Sequence, residues 1–278
     1  MTRSLMGSVD PPDLHVMTFN VRRRLDGVLG RRVDHWSTRR PRVHALFRAE
    51  RPTLLGVQEA MPDQAAAIGH ALGPDYRFVG HGRDRRRRGE GCPVFFDTTR
   101  LELLDWEQTA LSDRPHAAGS ISWGNVVPRV VVRATFRDRA TATPFTLANT
   151  HLDPFSPPSR VRAARCIRRL LSGSAFPAIV MGDLNARAGS PTLRELLQGD
   201  GLIDAWAAAE RRMTPPWGTF ANYRPPREDG ARIDWIVTSP AVTVVRAAIN
   251  AGTFDGGWPS DHLPVQAVLR VPAESGTT

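Results

Sequence analysis

Polar side chains follow four apolar, strand-like runs at the points where the runs end. Residues 16–19 lead into Asn20, residues 54–57 into Gln58 and Glu59, residues 147–150 into His151 and Asp153, and residues 179–182 into Asp183 and Asn185. Asp234 and the pair Asp261-His262 add two carboxylates and a second imidazole farther along the chain. If these strand ends meet at one rim, their oxygen atoms suit a hard cation such as Mg²⁺ better than zinc.

Each of these residues also has an ordinary structural explanation when it is taken alone. Asn20 or Glu59 after a strand is most often a turn or capping residue, and Asp183 can begin an Asx turn. Asp261 can equally lie in a surface loop before Pro264. It is their joint occurrence in one chain that favours a functional site.

The elements that must position these residues are mostly strands. Strand-like runs occur at residues 14–19, 53–57, 93–96, 101–104, 129–136, 145–149, 178–181, 233–237, 242–247 and 265–268. The clearest helical pattern covers residues 159–171, with Ser159 as N-cap, and weaker ones cover residues 40–50, 64–72 and 192–198. Many strands with fewer helices favour mixed sheets. With no internal repeat or linker, we expect one domain over residues 14–270, with flexible termini at 1–13 and 271–278.

The charge of the chain is strongly basic. It carries 37 Lys and Arg residues against 28 acidic ones, a net charge of +9, and every one of the 37 is arginine. Arginine suits phosphate, so the excess can indicate an anionic substrate, but a GC-rich genome gives the same bias. Arg83 with Arg85 to Arg88 forms a cationic run that either binds phosphates or is a solvated loop.

Several protein classes are excluded by missing patterns. No glycine-rich dinucleotide or nucleoside-triphosphate motif follows a strand, and no G-x-S-x-G motif is present. The two cysteines, Cys92 and Cys166, form neither a disulfide framework nor a metal-binding spacing. We find neither a secretion signal nor a membrane-spanning run, so we expect a cytoplasmic protein.

The sequence resembles the endonuclease/exonuclease/phosphatase superfamily, which includes pancreatic-type deoxyribonucleases. The matching segments, in order, are T-F-N-V at 18–21, V-Q-E at 57–59, N-T-H-L-D at 149–153, G-D-L-N at 182–185, R-I-D-W at 232–235 and S-D-H-L-P at 260–264. Residues 89–96 and 218–220 further resemble a bacterial subgroup of metal-dependent hydrolases. The resemblance implies an α/β fold, a four-layered α/β/β/α sandwich of two mixed β-sheets.

The resemblance also implies a role for each matching residue. Glu59 is expected to hold the divalent cation, with Asn20 and Asp261 close to it. Asp183 is expected to activate the attacking water and Asn185 to fix it. His151 and His262 are expected to donate hydrogen bonds to the phosphoryl oxygens, with Glu90 and Asp234 as their respective partners, and Arg129 and Arg22 to bind substrate phosphate.

The activity implied is phosphoester hydrolysis dependent on Mg²⁺, with Mn²⁺ as a substitute. A phosphodiesterase or nuclease is the first expectation, and a phosphatase or phospholipase C-like hydrolase is the alternative. A basic nucleic-acid-binding module that merely keeps the fold is the non-enzymatic alternative. The expected partner is a phosphoester substrate, with nucleic acid among the candidates, and nothing in the sequence indicates an obligate protein partner.

Overall fold

Thirteen strands form two mixed sheets in the described part of the computed structural model, which covers residues 4–25, 31–199 and 201–272. The strands are β1 Leu14–Asn20, β2 Leu54–Gln58, β3 Tyr76–Val79, β4 Val94–Asp97, β5 Leu101–Ala110, β6 Val130–Asp138, β7 Pro144–His151, β8 Ala178–Asp183, β9 Ile203–Asp204, β10 Arg211–Arg212, β11 Asp234–Thr238, β12 Thr243–Ile249 and β13 Val265–Arg270. The first sheet has the order β10-β12-β13-β1-β2-β4-β3. The second has the order β5-β6-β7-β8-β11-β9.

Five α-helices are described, of which the first four lie on the outer faces of these sheets, whereas the short fifth packs through Ala205 on the core between the sheets. The helices are α1 Trp36–Glu50, α2 Pro62–Leu72, α3 Pro157–Ser172, α4 Pro191–Leu197 and α5 Ala205–Ala208, with a short 3-10 helix at Arg32–Asp34. Helices α1 and α2 pack on the first sheet through Phe47 and Ile68, and α3 and α4 pack on the second through Ile167 and Leu193. The four-layered sandwich expected from the resemblance is confirmed.

Burial on both faces explains why the central strands are continuous apolar runs. In β1, Val16 belongs to the core between the two sheets, whereas Met17 and Phe19 belong to the core under α1. Each of the ten predicted strands is present. The three strands that the sequence pattern did not reveal are the edge strand β3, whose Phe78 is exposed, and the two-residue strands β9 and β10.

All four predicted helices begin one to four residues earlier than predicted, and two of these starts are informative. Helix α1 begins at Trp36, four residues early, and contains Pro41. Helix α3 begins at Pro157, and its N-cap is Ser156 rather than Ser159, because the Ser156 hydroxyl accepts the Ser159 backbone N–H. The two prolines of its first turn lack N–H groups that would need capping.

The chain termini are only partly described. The backbone N–H groups of Leu5, Met6 and Gly7 donate to the buried carboxylate of Glu50. Flexibility is expected for residues 1–13 and 271–278, and residues 1–3 and 273–278 of these lie outside the described residues. The flexibility of the termini therefore stays a prediction. None of the described helices is long and apolar enough to cross a membrane.

Candidate active site

Three charged or titratable residues lie in one row at the ends of three neighbouring strands. His151 on β7 is in register with Asp183 on β8, and Asp183 is in register with Asp234 on β11. Gly182 allows this close approach, because it has φ +144° and a Cβ there would overlap the Thr150 carbonyl oxygen. The second sheet thus brings an imidazole and two carboxylates together.

The first sheet supplies Asn20 and Glu59 to the same place. Nδ2 of Asn20 lies 3.1 Å from Oε1 of Glu59 and 3.0 Å from Oδ2 of Asp183, so one amide bridges carboxylates that belong to different sheets. Glu59 follows β2 with φ +61°, which turns its side chain off the line of the strand. The site is therefore formed where the ends of the two sheets meet.

Buried amide side chains join the two sheets just behind this site. Nε2 of Gln58 donates to Oδ1 of Asn149 at 2.7 Å, and Nδ2 of Asn149 donates to the carbonyls of Val57 and Cys92. Gly56 makes room for the Asn149 side chain, which would lie 2.8 Å from a Cβ at that position. These bonds pair the Asn149 amide and the Gln58 nitrogen, although Oε1 of Gln58 has no hydrogen-bond partner among the described residues, and they hold the sheets in one alignment.

His262 is held by Asp234 and carries a positive charge. Its Nδ1 lies 2.8 Å from Oδ2 of Asp234, and its Nε2 lies 3.8 Å from Oδ2 of Asp183. Burial opposes the charge, but the two carboxylates outweigh it and raise the pKa of His262 to about 10. The expected partnership of Asp234 with His262 is present, and the Thr219 hydroxyl accepts the Asp234 backbone N–H.

His151 has a different environment. Its Nε2 lies 3.4 Å from Oδ2 of Asp183, whereas its Nδ1 is buried and has no hydrogen-bond partner within the described ranges. Burial lowers the pKa of His151 to about 4, and the charge of Arg129 contributes to this against the opposing effect of Asp183. His151 is therefore neutral at pH 7, so that of these two histidines only His262 is cationic.

The expected pairing of Glu90 with His151 is wrong. The Glu90 carboxylate binds two arginines instead, Arg83 at 2.7 Å and Arg23 at 3.3 Å. The arginine run folds back on Glu90, since the backbone N–H of Arg83 donates to the Glu90 carbonyl at 3.0 Å, and Arg23 approaches the carboxylate from the segment after β1. Glu90 is thus an anchor of the arginine loop.

The two central carboxylates differ in basicity. Burial and the neighbouring charge of Asp234 raise the pKa of Asp183, although both histidines and Asn20 oppose this. Burial would also raise the pKa of Glu59, but two effects lower it to about 2: the imidazole of His151, which is protonated at the low pH where Glu59 titrates, and the N–H groups from which Glu59 accepts hydrogen bonds. Asp183 has the character of a base that takes a proton, and Glu59 that of a permanent anion.

The remaining predicted residues surround this centre. Oδ2 of Asp261 lies 3.5 Å from Nε of Arg22, so Arg22 is paired with a site carboxylate. Arg129 is almost fully buried beside Asp153, and its Nε and Nη1 have no hydrogen-bond partner within the described residues. Asn185 has φ +48° and uses its amide to bind the carbonyl of Leu152.

The donor set suits a divalent cation. One carboxylate oxygen each of Asp183 and Asp234 lie within 4.8 Å of each other and of a ring nitrogen of His262, but the protonated imidazole has no free lone pair, so the candidate ligands are the carboxylates. Oδ1 of Asp234 is buried and has no hydrogen-bond partner among the described residues. Glu59 adds a permanently ionised carboxylate. Asn20, predicted beside the cation, directs its amide nitrogen at the carboxylates in this structure, while its oxygen accepts the Arg22 N–H. Mostly carboxylate ligands are what Mg²⁺ and Mn²⁺ prefer.

Sequence reasoning missed several residues that support the site. Ser260 donates its hydroxyl to the Asn20 carbonyl at 2.7 Å, which ties β1 to the segment that carries Asp261. Arg23 donates its backbone N–H to Glu59. Ser260 lies within a matched segment and could have been found there, but Arg23 acts through its backbone, which leaves no signal in the residue type.

Known proteins share this fold. An endonuclease/exonuclease/phosphatase structure from Bacteroides vulgatus superposes with a TM-score of 0.87 and 30% identity, covering 94% of this chain and 99% of that one. A mannosyl-6-phosphatase from Bacteroides thetaiotaomicron gives 0.84 and 28%, covering 92% and 99%. Protein angel of Drosophila melanogaster is 29% identical over 128 residues, 44% of this chain but only 35% of that protein.

The family match covers the whole site. The sequence profile described as Endonuclease/Exonuclease/phosphatase family matches residues 17–262, which include every strand end that contributes to the centre. Members of this family hydrolyse phosphoester bonds and generally depend on a divalent metal. The chain belongs to the endonuclease/exonuclease/phosphatase family.

Proposed function

We propose that this protein is a Mg²⁺-dependent hydrolase of phosphoester bonds, in which Asp183 activates the attacking water. The observation that carries the proposal is the bridge from Asn20 to both Glu59 and Asp183, at 3.1 and 3.0 Å. It holds a permanently ionised carboxylate next to a more basic one in a buried site. One can bind a cation while the other accepts a proton.

The cation, when bound, would neutralise charge on the phosphoryl oxygens and on the leaving oxygen. Asp183 takes a proton from the water while the water oxygen forms a bond to phosphorus. The ester P–O bond on the opposite side of the phosphorus breaks. His262, already protonated, donates through Nε2 to an oxygen that gains negative charge in the transition state. Asp234 keeps that imidazole charged and oriented.

A phosphodiester is the first substrate class that we propose, and nucleic acid is the leading example. The support is electrostatic: the net charge is +9, and Arg86, Arg87 and Arg88 are exposed on the loop anchored by Glu90. A polyanionic backbone would gain affinity there through release of counterions.

A phosphomonoester is the second candidate class. The similarity to a mannosyl-6-phosphatase over 92% of this chain favours it, and a small sugar phosphate is the example to test. A monoester carries more negative charge than a diester, and Arg22 and the buried Arg129 are the cations beside the site that could balance it.

The experiment compares substrates and one variant. Hydrolysis of bis-p-nitrophenyl phosphate, p-nitrophenyl phosphate, mannose 6-phosphate, plasmid DNA and RNA is measured with Mg²⁺, Mn²⁺ or EDTA. Glu59→Gln should raise the Mg²⁺ concentration for half-maximal rate about tenfold or more, because it removes a ligand charge at constant shape. Glu195→Gln, far from the site in an ion pair with Arg165, is the matched control.

Three outcomes would contradict the proposal. They are a rate that persists in EDTA, an unchanged Mg²⁺ requirement in Glu59→Gln, and nucleic-acid binding in EDTA without turnover of any substrate. The last of these would favour the binding module over the enzyme.

A further inference from the structure

Arg39 in α1 is a fully buried arginine whose charge is balanced by backbone carbonyls. Its Nε donates to the carbonyl of Asp34, its Nη1 to that of Val21, and its Nη2 to those of Arg22 and Arg23 at 3.0 Å each. Within the described ranges, no carboxylate lies at ion-pair distance from it. Burying an arginine in this way is costly, so its hydrogen bonds must be well formed.

Two of the four carbonyls that Arg39 binds, those of Val21 and Arg22, belong to peptide groups whose N–H groups bind site residues. The Arg22 N–H donates to Oδ1 of Asn20 at 2.9 Å, and the Arg23 N–H donates to Oε2 of Glu59 at 3.0 Å. In a planar trans peptide the C=O and N–H point to opposite sides. A guanidinium that fixes the carbonyls of Val21 and Arg22 therefore also fixes the direction of these two N–H groups.

The local backbone needs such support. Arg22 has φ +57°, a conformation that residues other than glycine adopt at a cost. Gln64 gives a second hydrogen bond to the Arg22 carbonyl at 3.1 Å. The other side-chain hydrogen bonds to the carbonyls of residues 21–23 come from the planar, five-donor fork of Arg39. The single ammonium of a lysine cannot reach four carbonyls in this arrangement.

We propose that Arg39 is a positioning residue for the cation site. Through two peptide groups it sets the orientation of the Glu59 carboxylate and the Asn20 amide, although it touches neither. The inference rests on the proposed function. It predicts that loss of the guanidinium fork lowers the affinity for a divalent cation more than it affects the reaction of the loaded enzyme.

The test uses Arg39→Lys, with Arg40→Lys as the control, since Arg40 is exposed on the same helix. Mn²⁺ affinity is measured directly by calorimetry or electron paramagnetic resonance, alongside kcat, KM and thermal melting. For Arg39→Lys we expect at least a tenfold loss of Mn²⁺ affinity. At saturating Mn²⁺ we expect kcat and KM within about threefold of the unchanged protein, because bound cation restores the geometry.

A folded Arg39→Lys variant that binds Mn²⁺ like Arg40→Lys would overturn the inference and leave Arg39 with a structural role only. If the variant does not fold, amide hydrogen exchange in the unchanged protein decides. The Arg22 and Arg23 amides should exchange slowly, as buried and bonded groups do, and exchange at the rate of a free loop would overturn the inference. Absence of Mn²⁺ binding in the unchanged protein would instead refute the proposed function.

Discussion

The pair formed by Asp234 and His262 allows a quantitative test of the proposed chemistry. The two side chains are joined at 2.8 Å, and the pKa of the imidazole is about 10 instead of the ordinary 6.5. This difference corresponds to about 5 kcal/mol in favour of the protonated form, at ~1.4 kcal/mol per pKa unit. It arises against burial, which alone favours a neutral imidazole.

Asp234→Asn keeps the size of the side chain and removes its charge. Because a nearby opposite charge shifts a pKa by about 1–3 units, we expect the pKa of His262 to fall to about 7–9. The imidazole is protonated below its pKa, so the basic limb of the pH profile of kcat/KM should move down by the same amount. Above the new pKa, the variant should lose about tenfold in rate per pH unit relative to the unchanged enzyme.

The assay is kcat/KM from pH 6 to 9.5, together with nuclear magnetic resonance titration of the His262 ring in the metal-free protein. Asp229→Asn is the matched control, because Asp229 is paired with Arg227 on the surface. The reasoning is refuted if the basic limb does not move in Asp234→Asn, or if the His262 ring of the unchanged protein titrates near pH 6.5.

Three further predictions concern the base, the arginine run and folding. Asp183→Asn should lower kcat by about a hundredfold or more at an unchanged melting temperature, because it removes the proton acceptor; near-normal turnover contradicts that role. Changing Arg85 to Arg88 to Ser should weaken DNA or RNA binding and flatten its salt dependence, with hydrolysis of a small phosphodiester retained; an unchanged salt slope would show a merely solvated run. His15 has a pKa lowered to about 4 by burial, despite the opposing charge of Glu50, so the unfolded chain takes up a proton that the folded one rejects. The contribution of the neutral His15 side chain to the free energy of unfolding should therefore be fully present above pH 6.5, and about 3 kcal/mol of it should be lost as the pH falls to 4. The free energy of unfolding of His15→Asn, measured with urea, should lack this part of the pH dependence. If that free energy changes with pH equally in the variant and in the unchanged protein, His15 is excluded as the source.

Much of the site could be predicted because its residues end strands that are easy to recognise. Asp183 and His151 follow long apolar runs, and the register of β7 with β8 then brings them together. The partner of His151 could not be predicted, since sequence order does not show whether Glu90 meets an imidazole or the arginines of its own loop.

The contribution of Arg39 was hidden for a different reason. A residue type gives a signal when it contacts another side chain of complementary chemistry, but Arg39 contacts carbonyls that every residue has. The edge strand β3 was missed because only its terminal residues, Tyr76 and Val79, are buried, so its sequence lacks a regular alternation.

The hydrogen bond between Gln58 and Asn149 has a consequence for cooperativity. Its two residues belong to different sheets and lie in the core behind the site, so separating the halves of the site means separating the sheets. Local fluctuations of single loops cannot do this. The amides of β7 and β8 next to the site should exchange with solvent only when the whole domain unfolds, as in one cooperative unit. Catalytic geometry and global stability would then be lost together on heating, with no partly folded, inactive state between them.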